Sequence, residues 1–184
     1  MDQMMADIAS MGGELFVMDD GWFGDKYPRK NDSSSLGDWV VDKNKLPNGI
    51  EGLLSDAKKH GVKFGIWIEP EMANTTSELY EKHPDWVLKA SERDVVLGRG
   101  GTQVVLDLAN PAVQDFVFGV VDNLMTSYPE IDYIKWDANM SVQNHGSQYL
   151  TKDNQSHMYI EFHRGFEKIC QRIRAKYPDL TIQA

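Results

Sequence analysis

The chain has 184 residues, 41% hydrophobic and 26% charged, enough to bury one sizeable core. Its 28 acids outnumber 19 bases to give a net charge of −9, which disfavours nucleic acid and anionic membrane as partners. A single cysteine rules out a disulfide framework and five scattered histidines form no metal motif, so no cofactor or metal is expected. No apolar run is long enough to cross a bilayer, and no basic segment followed by an apolar stretch opens the chain; the expectation is a soluble, cytoplasmic protein.

The start reads as the tail of a helix, with Met4, Met5, Ile8 and Met11 on one apolar side and Gly12-Gly13 as its stop. A strand over 14–18 then runs into Asp19-Asp20-Gly21-Trp22. Residues 49–60 place Ile50, Leu53, Leu54 and Ala57 at helical spacing, and Gly61 ends that helix. A second strand, 62–68, stops at Glu69-Pro70-Glu71. A third apolar run, 104–106, ends in Asp107. The next helix, 111–128, has Asn110 as N-cap, Pro111 at its first position, and an apolar stripe through Val113, Val117, Val120 and Leu124. Strand 133–137 follows, then a helix over 156–177 whose stripe includes Tyr159, Ile160, Phe166, Ile169, Cys170 and Ile173. Cys170 is therefore expected to pack rather than react. The last run, 180–184, reads as one more strand.

Strands alternating with helices predict parallel strands joined by right-handed crossovers in an α/β fold. Gly98-Arg99-Gly100-Gly101 precedes a strand instead of linking a strand to a helix, which argues against a dinucleotide site. Acids at successive strand ends suit the rim of a TIM barrel, where side chains from different strands converge. About five strands are visible, where the closed barrel needs eight and ~250 residues. Residues 1–184 are accordingly expected to form a single partial (β/α)8 catalytic barrel domain lacking the first strand, the last strands and any flanking β domains.

The densest chemistry lies in Tyr133-Ile134-Lys135-Trp136-Asp137. Alternation puts Lys135 and Asp137 on one strand face and Trp136 on the other. An ammonium beside a carboxylate favours its ionised, nucleophilic form, although a plain strand-end ion pair has the same pattern. Asp19-Asp20 offers acceptor-only oxygens suited to sugar hydroxyls, or equally a turn and helix cap. Trp67 shares a face with Glu69, which places it towards the barrel mouth. Pro70 ends the strand between Glu69 and Glu71, and these two acids are expected to be architectural or to support the residues that touch the sugar, rather than to be catalytic.

Six motifs then occur in order: Asp19-Asp20-Gly21-Trp22-Phe23-Gly24, Leu36-Gly37-Asp38-Trp39, Leu46-Pro47-Asn48-Gly49, Trp67-Ile68-Glu69-Pro70-Glu71-Met72, His83-Pro84-Asp85-Trp86 and Tyr133-Ile134-Lys135-Trp136-Asp137. Their succession resembles glycoside hydrolase family 36, the microbial α-galactosidases or melibiases, over the whole of 1–184. The resemblance implies a retaining enzyme acting on galactose-containing oligosaccharides of the melibiose and raffinose type, often as a homo-oligomer. It implies Asp137 as catalytic nucleophile, with Lys135, Asp19, Asp20, Trp67, Arg99 and Asn139 as galactose-binding residues. Two departures stand out: Gly100-Gly101 follows Arg99 where the family usually has Asn and Gln, and Met140 follows Asn139 where Arg is common. The family's acid/base lies on a later strand end, past the strand matching 180–184, so this chain alone is expected to hydrolyse galactosides poorly. A non-hydrolytic galactoside binder, an α-N-acetylgalactosaminidase and a galactosyl transferase are the alternatives.

Overall fold

The computed structural model describes residues 1–143 and 145–184. Four parallel strands form the main sheet in the order β1 (Leu15–Met18), β2 (Lys63–Ile68), β5 (Tyr133–Trp136), β6 (Thr181–Gln183). Helices α2 (Gly49–His60), α4 (Pro111–Ser127) and α5 (Met158–Lys176) connect them, with α1 (Asp2–Ser10) leading into β1. Every residue of β2 after Lys63 is buried, as expected of a parallel strand covered on both faces. Gly65 lets β5 approach closely: a Cβ at this position would lie about 3.0 Å from the Tyr133 ring, tighter than an ordinary contact.

Local signals set the helix ends. The Asn110 side chain accepts the Ala112 N–H at 3.0 Å, capping α4, and Gly61 takes the left-handed conformation (φ 70°) that closes α2. The α/β class with parallel strands is therefore as expected, but one strand differs. The 104–106 run contributes β4 (Gln103–Val105), which pairs antiparallel with β3 (Met72–Asn74) in a separate two-stranded sheet. The main sheet thus has four parallel strands, not about five. An apolar run signals burial on two faces and is silent about direction; β4 is fully buried, like β2, in a different setting. The excursion between β3 and β4 also holds α3 (Glu78–Lys82) and a 3-10 turn over Pro84–Trp86.

Three smaller expectations change. Met4 and Met11 are exposed, because α1 packs mainly on α2 and β1 and Met5 is its buried residue. Helix α5 begins at Met158 after a 3-10 segment, Lys152–His157. Its inward side carries Ile169 and Ile173, leaving Cys170 exposed along with Tyr159 and Ile160. A helical period of 3.6 turns the neighbour of an inward residue away from the core.

Candidate active site

Parallel register brings the C-terminal ends of β1, β2 and β5 to one edge of the sheet. Met18 aligns with Ile66, Trp67 with Lys135, and Ile68 with Trp136, so Asp19, Glu69 and Asp137 emerge side by side. A cavity of about 160 Å³ opens among them, roughly the space of five waters. Asp19, Asp20, Trp67, Arg99, Asp137 and Asn139 all line it, together with Arg29, Asp32, Glu69 and Gln103. Lys135 reaches the same place through Asp19. A larger groove of about 820 Å³ between Trp39 and α4 contains none of the seven expected residues.

Two donors hold the Asp137 carboxylate, and a third group assists. The Trp67 indole N–H lies 3.1 Å from Oδ2, the Ala138 N–H lies 3.1 Å from Oδ1, and the nearby Asn139 side chain favours the ionised carboxylate. Burial pushes this carboxyl up, but the bonds from Asn139, Trp67 and Ala138, with a smaller contribution from the Lys135 charge, outweigh it and leave it below its ordinary value. It is consequently ionised at neutral pH. The sequence reading gave the ammonium the leading part; the geometry gives it to the hydrogen bonds. Lys135 Nζ contacts Asp19 Oδ2 at 2.9 Å instead, and Asp19 Oδ1 accepts the Asp20 N–H at 2.8 Å.

Trp67 is only 3% exposed, so it is part of the cavity wall more than an open platform. Its ring stacks on Phe23 with centroids 6.2 Å apart, and its carbonyl accepts the Trp22 indole N–H at 2.9 Å. Those contacts fix the indole donor that faces Asp137. Trp136, as its alternation demands, points to the opposite face and packs edge-on against Phe166.

Arg29 escaped the sequence reading. It is 4% exposed and clamps Asp20 bidentately, Nε to Oδ1 at 3.0 Å and Nη2 to Oδ2 at 2.7 Å. Its Nη1 also donates to the Asn74 side-chain oxygen at 3.0 Å and the Ser34 carbonyl at 2.9 Å. Asp32 connects Arg29 to Arg99, whose Nη1 lies 2.9 Å from Asp32 Oδ2. Arg99 itself adopts a left-handed φ of 45° at the tip of the turn before β4, a conformation uncommon for a residue with a Cβ. A basic residue nine positions after an acid in a loop has no periodic signature, which is why Arg29 could not be found beforehand. Asp107, counted among the strand-end acids, is buried away from the cavity, where it accepts the Ala109 N–H and the Ser147 hydroxyl.

The family model for melibiase matches residues 1–184. This chain belongs to the melibiase family. Among its relatives, α-galactosidase AgaA of Geobacillus stearothermophilus is 39% identical over 96% of this chain and 23% of its own length. The probable α-galactosidase C of Aspergillus flavus is 40% identical over 97% of this chain and 23% of its own length. A solved AgaA variant in complex with 1-deoxygalactonojirimycin superposes with a TM-score of 0.90 at 38% identity, covering 98% of this chain and 24% of that one. The α-galactosidase of Lactobacillus brevis gives 0.91 at 38% identity, with the same coverage of both chains. This chain spans about a quarter of the length of these relatives, and its sheet and helices superpose on part of the two solved structures.

Proposed function

We propose that this chain carries the nucleophile and the galactose clamp of a retaining α-galactosidase. Asp137 attacks the anomeric carbon of a terminal α-galactoside, a carboxylic acid protonates the departing oxygen, and water hydrolyses the galactosyl-enzyme. The reading rests on one observation above all: an ionised Asp137, fixed by Trp67 and Ala138, borders an open cavity beside the Lys135–Asp19 pair. Asp19 and Asp20, each anchored by a base, present remaining lone pairs to sugar hydroxyls. A site built to pair with a hydroxyl rejects an epimer that leaves it unpaired, which suits recognition of the axial O4 of galactose. Relatives support the substrate class, since AgaA variants have been solved with raffinose and with stachyose.

The protonating group is the remaining part. Retention requires a second carboxyl about 5 Å from the nucleophile across the bond. The acids around the cavity are engaged: Asp19 by Lys135, Asp20 by Arg29, Asp32 by Arg99, and Glu69, 2% exposed, by the Asn139 N–H at 2.6 Å. We assign the acid/base to a carboxyl other than the engaged acids that line this cavity. The same engagement of acids favours a second reading, a galactoside-binding partial barrel that does not cleave.

A ring-fluorinated galactosyl fluoride separates the two, because fluoride departs with little protonation and the added fluorine slows release. The expected outcome is a galactosyl adduct located by peptide mass spectrometry on Asp137, absent from Asp137→Asn. Galactose binding with no adduct supports the binder, and an adduct on another residue overturns the assignment of the nucleophile.

A further inference from the structure

We propose that Glu69 and Glu71 are positioning residues that hold the end of β5 from both sides of Asp137. This inference rests on Asp137 as the nucleophile and assigns the residues that aim it. The β5 ladder ends at Trp136, and residues 137–139 leave the sheet. Two of their backbone N–H groups are anchored by one short stretch, 68–71, next to the Trp67 indole that holds the Asp137 carboxylate. The Trp136 indole N–H donates to Glu71 Oε2 at 2.7 Å, the Asp137 N–H to the Ile68 carbonyl at 2.9 Å, and the Asn139 N–H to Glu69 Oε1 at 2.6 Å. The Asn139 side chain favours the ionised form of both Glu69 and Asp137, so residue 139 acts on the two carboxyls together.

Both acids are nearly sealed, 2% exposed for Glu69 and 8% for Glu71. Burying a carboxyl is costly unless it makes bonds, and here each makes its bond on one side of the same residue. The stretch is itself braced, since the Leu106 N–H donates to the Glu71 carbonyl at 2.8 Å, extending the β3–β4 pairing by one step. The small antiparallel sheet therefore gives the clamp a rigid base. The carboxylate of a nucleophile must be held within a narrow range of angle and distance, and a displacement of about 1 Å costs on the order of a hundredfold in rate.

The test compares Glu71→Gln, Glu71→Leu, Glu69→Gln and Glu69→Leu in this chain. Gln and Leu both remove the ionisable acid, but only Gln keeps an oxygen to accept the bond, so their difference isolates the hydrogen bond. Circular dichroism and thermal melting establish that each variant folds. The first readout is titration of the Asp137 carboxyl by carbon NMR, assigned with Asp137→Asn. Lys135 and Glu69 are the titratable groups beside it, Asp19, Asp20, Asp32, Arg29 and Arg99 line the same cavity, and Glu71 is protonated while Asp137 titrates. Expected is a higher Asp137 pKa in Glu69→Leu than in Glu69→Gln. The second is labelling by the fluorinated galactosyl fluoride, resolved into a saturating rate and a half-saturating concentration. Both Leu variants are expected to lose about tenfold or more in the saturating rate with little change in half-saturation, and both Gln variants to stay within about twofold of the parent. Folded Leu variants that match their Gln counterparts in titration and labelling overturn the clamp. A parent chain that binds galactose and forms no adduct overturns the nucleophile instead, while the carboxyl titration still decides whether Glu69 holds residue 137.

Discussion

Replacing Glu71 by Gln should make the protein more stable, and increasingly so as pH rises. Burial drives the Glu71 carboxyl from its ordinary value of 4.5 up to about 8, against the opposing bond from Trp136, and the negative charges of Glu69 and Asp137 push the same way. Below pH 4.5 the group is protonated in the folded and unfolded chains alike and exerts no effect. Between 4.5 and about 8 the unfolded chain ionises while the folded one does not, so stability falls as pH rises. Above 8 both are ionised and the slope disappears. At about 1.4 kcal/mol for each pH unit, the whole interval corresponds to roughly 5 kcal/mol, of which about 3 kcal/mol is already lost at pH 7. Against a typical stability of about 5–15 kcal/mol this is a large fraction. Gln keeps an oxygen for the Trp136 indole and cannot ionise. Urea unfolding of parent and variant from pH 4 to pH 9 should give curves that meet at the acid end and diverge by several kcal/mol at the alkaline end. Asp38, Glu69 and Asp107 are also raised by burial, but they are common to both proteins and cancel in the difference. Parallel curves would falsify the account of Glu71 as a buried, protonated acid.

Trp67→Phe keeps the stack on Phe23 and removes the indole donor to Asp137, so the Asp137 carboxyl should rise towards its ordinary value. The acid limb of adduct formation then moves to higher pH; an unmoved limb in the labelling profile contradicts this. Arg29→Gln strips the bidentate partner from Asp20 and takes the guanidinium donor from the Ser34 carbonyl, while Asn74 Oδ1 keeps the Leu36 N–H; this should cost about 3 kcal/mol in denaturant unfolding and weaken galactose binding measured by calorimetry. Gly165→Ala would place a Cβ 1.9 Å from the Leu108 carbonyl oxygen, so α5 must shift; a loss of about 3 kcal/mol is expected, and a variant as stable as the parent would show that α5 can move freely there.

Element type and facing came from local pattern. Asn110-Pro111 and Gly61 marked helix ends that the folded chain uses, and alternation in 133–137 separated Lys135 and Asp137 from Trp136 as the burial of β5 does. The seven expected site residues also gather at one edge, since parallel strands necessarily bring equivalent ends together. Partners were another matter. Lys135 pairs with Asp19 across 116 positions, Trp67 with Asp137 across 70, and Trp136 with Glu71 across 65. No periodicity spans such separations. Which acid meets which base, whether 103–105 joins the main sheet, and whether Glu71 keeps its proton depend on register and on the exclusion of water. Sequence thus determined which groups could meet at the strand ends, because side-chain direction follows from the backbone period alone. Tertiary structure decided which of them do, because distance and burial exist only once the chain has folded.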